Sequence, residues 1–163
     1  MSIPSTIRIR PMTAKDIDRV VELAAGLDDA PHWDRRVYEA AVDRSSPRRA
    51  ALVSEDAETG ALAGFAIASL VPPEAELESI AVSREYQRRG VARTLFEALA
   101  AELDTSGVRE VLLEVRESNR PARALYLSLG FIETGRRHGY YADPVEDAIQ
   151  MRFEMGARQI PER

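Results

Sequence analysis

Two groups of residues in this 163-residue sequence have the types and spacing to do chemistry. The first is Gln87-Arg88-Arg89-Gly90-Val91-Ala92, a turn between a predicted strand (Leu77 to Val82) and a predicted helix (Val91 to Leu103). The first N–H groups of a helix have no partner within it, and the helix dipole adds partial positive charge there. Such a turn can hold a phosphate. Gly90 and the small Ala92 let a ligand approach the backbone closely. Arg84, Arg88, Arg89 and Arg93 place four cations within ten residues, opposed only by Glu85. In a chain of formal net charge −5, that local excess points to a polyphosphate ligand. The second group is Glu114 and Tyr126. Glu114 stands between Leu113 and Val115 on a predicted strand, where a half-buried carboxylate could hold its proton more tightly than usual and act as a base. A surface glutamate paired with Arg116 is the plainer alternative. Tyr126 lies on an apolar helical stripe with Ala122, Leu125 and Leu129, so it points inward, either as a proton donor or as a core tyrosine bonded to backbone.

The elements that position these groups follow from hydrophobic period and punctuation. Ile7 and Ile9 alternate with arginines as a first short strand. Thr13 reads as an N-cap for a helix carrying Ile17, Val20, Val21 and Ala24, which Gly26 ends. A loop around Pro31, His32 and Trp33 precedes a second helix over Arg35 to Val42. Ala50 to Ser54 and Ala61 to Val71 flank the turn signal Asp56 to Gly60 and predict a hairpin, stopped by Pro72 and Pro73. Val91, Leu95, Leu99 and Leu103 form one helical face. Val111, Leu113 and Val115 alternate as a strand, and Asn119 caps a helix with Pro121 in its first turn and Gly130 at its end. Phe131 to Thr134 and Ala148 to Phe153 predict two last strands, joined by a loop rich in glycine and tyrosine. Hairpins mixed with crossover helices predict an α/β fold with a mixed sheet.

Composition narrows the function classes. The length suits one domain with a real core, here residues 1–155, followed by a polar tail over 156–163. With no cysteine, a disulfide, a cysteine zinc site and a thiol-borne acyl group are all ruled out. The two histidines follow no metal-ligand spacing, so no metal is expected. The acidic balance argues against direct nucleic-acid binding. No apolar run approaches the roughly 20 residues that cross a bilayer, and the start lacks the hydrophobic core of a secretory signal. A cytoplasmic enzyme or binding module, monomer or homodimer, is the expectation.

The element order, the Gln87 to Ala92 turn, and the run Leu113 to Asn119 followed by Ala124 to Phe131 together resemble the GNAT superfamily of N-acetyltransferases. Glu114-Val115-Arg116, Tyr126 to Phe131, Tyr140-Tyr141 and Glu146 to Met151 look, more narrowly, like the ribosomal-protein-alanine N-acetyltransferases. The segment Asp28 to Tyr38 departs from them in placing His32 between Pro31 and Trp33. The resemblance implies a central sheet of about seven strands with about four helices, splayed between the fourth and fifth strands. It implies acetyl-CoA as cosubstrate. Ile80, Ala81 and Val82 would pair with the pantetheine arm. Arg88, Arg89, Gly90, Val91, Ala92 and Arg93 would hold the pyrophosphate, with Asn119 touching the cofactor. It makes Glu114 the base and Tyr126 the acid in direct attack within a ternary complex. Read from residue type, Trp33, Tyr140 and Tyr141 either wall the acceptor site or pack as ordinary loop aromatics, and the acids Asp28, Asp29, Asp34, Glu74, Glu76 and Glu78 either attract a basic partner or are ordinary surface charge. That partner is a protein or peptide N-terminus, as a small-subunit ribosomal protein would offer. A small-molecule amine as acceptor and a non-catalytic acetyl-CoA-binding module are the alternatives.

Overall fold

The computed structural model describes residues 6–28, 30–43 and 48–156, so Asp29 and the polar tail from residue 157 onward lie outside the described residues. The chain order is β1 (Ile7–Pro11), α1 (Ile17–Ala25), α2 (Arg35–Val42), β2 (Arg49–Asp56), β3 (Leu62–Val71), β4 (Glu74–Val82), α3 (Val91–Thr105), β5 (Glu110–Arg116), α4 (Arg120–Leu129), β6 (Ile132–Ala142) and β7 (Val145–Glu154). The strands form one seven-stranded sheet in the order β1-β2-β3-β4-β5-β7-β6. Only β4 and β5 run parallel. The sheet is mixed, as expected, because the β2–β3–β4 meander and the β6–β7 hairpin flank the parallel crossover through α3.

One pair of helices packs on each face of the sheet, and only the α3–α4 pair reaches across to β5 and β7. Val91, Leu95, Leu99 and Leu103 are all buried, and with Leu129 of α4 they pack on Ala66, Leu77, Leu113 and Met151. Burying side chains of this size contributes about 1.5–3 kcal/mol each, which anchors α3 firmly against the strands. On the other face Ile17, Val20 and Ala24 of α1 and Tyr38 and Ala41 of α2 cover Val53, Phe65, Ile67 and Ala81. That second layer stops at β4, so the matching face of β5, β7 and β6 carries no helix. Among the described residues no helix is long and apolar enough to cross a membrane.

The structure departs from the sequence-based expectations in two places. Thr13 caps a short 3-10 turn, Ala14–Asp16, and α1 proper starts one residue later at Ile17. The Asp16 carboxylate accepts the Thr13 N–H at 2.8 Å, so the capping signal was real but fell one turn early. The larger departure is the last hairpin. In place of short strands and a long loop, β6 and β7 run nearly to the Asp143-Pro144 turn. β6 is an edge strand and is exposed along almost its whole length, so it carries no apolar alternation to reveal it. Tyr140 and Tyr141 therefore lie on a strand.

Candidate active site

The site begins where β4 and β5 part. They pair only over Glu74↔Glu110, Ala75↔Val111 and Glu76↔Leu112. Beyond that point the strands diverge, as the splay requires. A second irregularity helps. Ile67 faces Ser79 and Ala68 faces Leu77, so Glu78 is an extra residue in β4. This bulge switches the strand's faces: Leu77 packs on the α3 side, and Ala81 packs on the α1 side. Nothing in the local sequence signals it.

The ladder also decides which backbone groups are free. Ser83 N–H donates to Ala63 O at 2.8 Å, which makes that a hydrogen-bonded pair. In an antiparallel ladder such pairs alternate, so Ala81 is bonded to Phe65, and the N–H and C=O of Ile80 and Val82 turn toward the gap, where the Val82 C=O already accepts from Gln87 Nε2 at 2.9 Å. Of the three residues expected to pair with an extended amide chain, Ile80 has the geometry with both backbone groups and Val82 with its N–H. Ala81 lines the gap with its backbone committed to β3.

The gap opens into a cleft of about 1150 Å³. At one end stands the turn before α3. Gly90 adopts φ 81°, which favours glycine, and a side chain added there would meet nothing within 4 Å. Among the described residues, none of the backbone N–H groups from Arg88 to Arg93 has an acceptor. Side-chain bonds fix the loop: Gln87 donates to Val82 O at 2.9 Å, Arg84 to Gly26 O at 3.1 Å, and Tyr86 to Asp56 at 2.8 Å. Arg88, Gly90, Val91, Ala92 and Arg93 line the cleft. Arg89 lies over the ring of Tyr86, 5.6 Å from its centre, and is not among the lining residues. Arg93 also donates to Ser128 O at 2.6 Å and ties α3 to α4.

At the other end the cleft meets Glu114, Tyr126, Asn119 and Tyr141. Asn119 both caps α4, accepting from Ala122 N–H at 3.2 Å, and lines the cleft. Tyr126 packs against Phe131 with ring centres 5.7 Å apart. Burial, with a smaller contribution from Tyr141, pushes its hydroxyl pKa up to about 12, so it stays protonated at neutral pH. Glu114 does not pair with Arg116. Its carboxylate is ion-paired to Arg137 of β6 and accepts from Gln150 Nε2 at 3.3 Å. Arg116 instead pairs with Glu146 and stacks on Tyr141, 4.3 Å from the ring centre. Arg137 comes from an edge strand that sequence reading leaves as loop, which is why it escaped notice; Gln150 lies on the predicted last strand, but its register against Glu114 could not be read. Tyr140 lies beside the cleft rather than on it and packs edge-on against Tyr141 at 5.0 Å. Trp33 packs on Tyr38 at 5.3 Å, outside the cleft lining. Among the described residues no three His, Asp or Glu side chains gather as a metal site.

An unpaired row of helix-terminal donors, an open strand edge, a carboxylate and a protonated phenol thus share one cleft. Residues 17–131 match the model of the acetyltransferase (GNAT) family. The chain is 50% identical over 96 residues, 58% of its length, to the ribosomal protein bS18-alanine N-acetyltransferase of Escherichia coli. That stretch spans 65% of the Escherichia coli enzyme, a little under two thirds. A Bacillus subtilis protein named as a candidate for the same activity is 34% identical over 88% of this chain and 92% of its own length. In three dimensions the crystal structure of the Escherichia coli ribosomal-protein-alanine N-acetyltransferase superposes with a TM-score of 0.77 at 35% identity, covering 91% of this chain and 94% of that one.

Proposed function

This chain belongs to the acetyltransferase (GNAT) family, and from that premise we propose that it transfers acetyl from acetyl-CoA to a protein N-terminal α-amine, of the ribosomal protein bS18-alanine type. The observation that carries the reading is the single cleft joining the free N–H groups at the start of α3 to Glu114 and Tyr126 through the β4–β5 gap. The family uses acetyl-CoA, and the residues present fit it. A diphosphate would rest on the Arg88 to Arg93 N–H groups, where the dipole of the 15-residue α3 favours negative charge. The pantetheine amides would extend the sheet along Ile80 and Val82 as an added strand. The Val82 N–H, which turns toward the gap, would be the donor to a thioester oxygen there as it gathers negative charge.

At the reacting end each residue has a distinct task. An α-amino group has a pKa near ~8 and arrives mostly as ammonium at neutral pH, so it must lose a proton before it can attack. Glu114 takes that proton, directly or through one water. Tyr126 keeps its own proton at neutral pH, which suits it to donate to the departing thiolate. Without cysteine in the chain, transfer is direct within a ternary complex. Residues 1–155 act as one catalytic domain, and Tyr141 borders the acceptor end of the cleft.

The reading is tested with labelled acetyl-CoA against three acceptors: peptides with free alanine N-termini, the same peptides N-blocked but carrying lysine, and small amines. The expected result is label on the free N-termini alone. Label on small amines with none on free N-termini would replace the protein acceptor while leaving the family chemistry.

A further inference from the structure

Arg137 is ion-paired to Glu114, the carboxylate read above as the base. Glu114 pairs across β5–β7 with Gln150, and Gln150 pairs across β7–β6 with Gly135. Residues directly opposite in a sheet share a face, and Arg137 lies two residues beyond Gly135 on that same face. This is the face that no helix covers. Gly135 leaves room for the row: a side chain there would sit 2.7 Å from Gln150 Oε1. Ala148 opposite Arg137 is also small, so the arginine can lean across it to the carboxylate.

The ladder of β6 is broken immediately after Arg137. Arg137 pairs with Ala148 and Tyr141 with Glu146, so His138, Gly139 and Tyr140 stand opposite Asp147 alone. Asp147 holds this bulge by accepting from Gly139 N–H at 2.8 Å and from Arg136 at 3.0 Å. The bulge brings the Tyr140 ring under the Arg137 guanidinium, 5.5 Å from its centre. A carboxylate and an aromatic face are two groups that receive an alkylammonium well. Here both are given to an internal cation. Glu114 is only 18% exposed, whereas the Arg137 side chain is 57% exposed, so the arginine can leave while the carboxylate cannot.

We propose that Arg137 is a displaceable latch: its guanidinium occupies the acceptor-amine position on Glu114 and Tyr140, and the substrate ammonium must exchange with it. The proposal rests on the reading of Glu114 as the base at the acceptor end. The latch keeps the carboxylate paired when no acceptor is present. It also sets a threshold that a well-positioned N-terminus passes and a loosely held amine does not. Arg137 acts on the reaction only by competing with the acceptor for Glu114.

The test is titration calorimetry, at saturating CoA, of a free-N-terminal alanine peptide and its N-acetylated form into wild type, Arg137→Met and Arg137→Lys. Partly exposed ion pairs are weak, so removing the competitor should tighten the free peptide roughly two- to fivefold. The blocked peptide should be unaffected, and Arg137→Lys, which keeps a cation, should stay near wild type. In turnover with acetyl-CoA, KM for the peptide should fall by the same factor with kcat unchanged. Unaltered or weaker peptide affinity in Arg137→Met, or a fall in kcat at constant KM, would overturn the latch and make Arg137 a fixed support for Glu114. Failure of the acceptor reading looks different: wild type would bind the free peptide yet release no CoA.

Discussion

Replacing Gly90 tests the phosphate turn, because the structure separates its possible effects. Gly90 has φ 81°, and an added Cβ would meet nothing within 4 Å. Gly90→Ala therefore introduces no clash, only the strain of a left-handed L-residue, about 1–2 kcal/mol of stability. Gly90→Asp adds the same strain plus a charge at the mouth of the N–H row. A carboxylate about 5 Å from one phosphate charge repels it by about 0.8 kcal/mol in bulk water and by about 3 kcal/mol at an effective dielectric of 20. At about 1.4 kcal/mol per tenfold, CoA affinity should fall between roughly fourfold and two-hundredfold beyond the alanine variant. The assay is calorimetric binding of CoA and of dephosphorylated pantetheine to both variants, with melting curves to read the strain separately. Pantetheine, which lacks the diphosphate, should bind both variants equally. Equal CoA affinity in the alanine and aspartate variants would refute the placement of the diphosphate at this turn.

Further outcomes follow from named contacts. Tyr126→Phe should lower kcat at saturating substrates by about a hundredfold or more with little change in KM, since it removes one proton donor and keeps the ring packing on Phe131; an unchanged kcat would remove Tyr126 from the chemistry. Because the Tyr126 pKa is raised to about 12, the folded state holds this proton more tightly than the unfolded chain. Its contribution to stability is therefore intact below pH 10 and lost as pH rises from 10 toward 12, which spectrophotometric titration beside the phenylalanine variant can follow. Asp16, only 1% exposed, accepts from Arg10 at 2.8 Å and Arg19 at 3.0 Å, and the Arg10 guanidinium holds its carboxyl well below the usual range. That stabilisation is present above about pH 4 and fades as pH falls below it, and Asp16→Asn should cost about 2 kcal/mol in denaturant melts at pH 7 while flattening the acid limb. Gly64→Val should be more damaging still, because a Cβ there would lie 2.6 Å from Ala81 O and press β3 off the strand that carries Ile80 and Val82; a folded variant with normal CoA affinity would contradict that packing.

How far the sequence could be read depended on which residues carry a pattern. The turn at Gly90, the α3 face of Val91, Leu95, Leu99 and Leu103, and α2 from Arg35 to Val42 were legible, because buried faces and glycine punctuation leave periodic traces. The parting of β4 and β5 came only through resemblance, since no local residue encodes where two strands stop pairing. The β4 bulge at Glu78 and the broken ladder at His138 to Tyr140 left no trace at all, as each depends on register with a strand distant in sequence. For the same reason the pairing of Glu114 with Arg137 and Gln150 was invisible, although Gln150 itself fell on a predicted strand, whereas Arg116 drew attention by being two residues away. Trp33 was picked by type; in the fold it packs on Tyr38 between α1 and α2.

The account stands on acetyl-CoA lying through the β4–β5 gap, and a crystal structure with bound CoA measures that directly. It should place diphosphate oxygens about 3 Å from the backbone N–H groups between Arg88 and Arg93, the pantetheine amides on Ile80 and Val82, and the sulfur between Glu114 and Tyr126. CoA seated elsewhere, with those N–H groups and the Ile80–Val82 edge still bare, would contradict it.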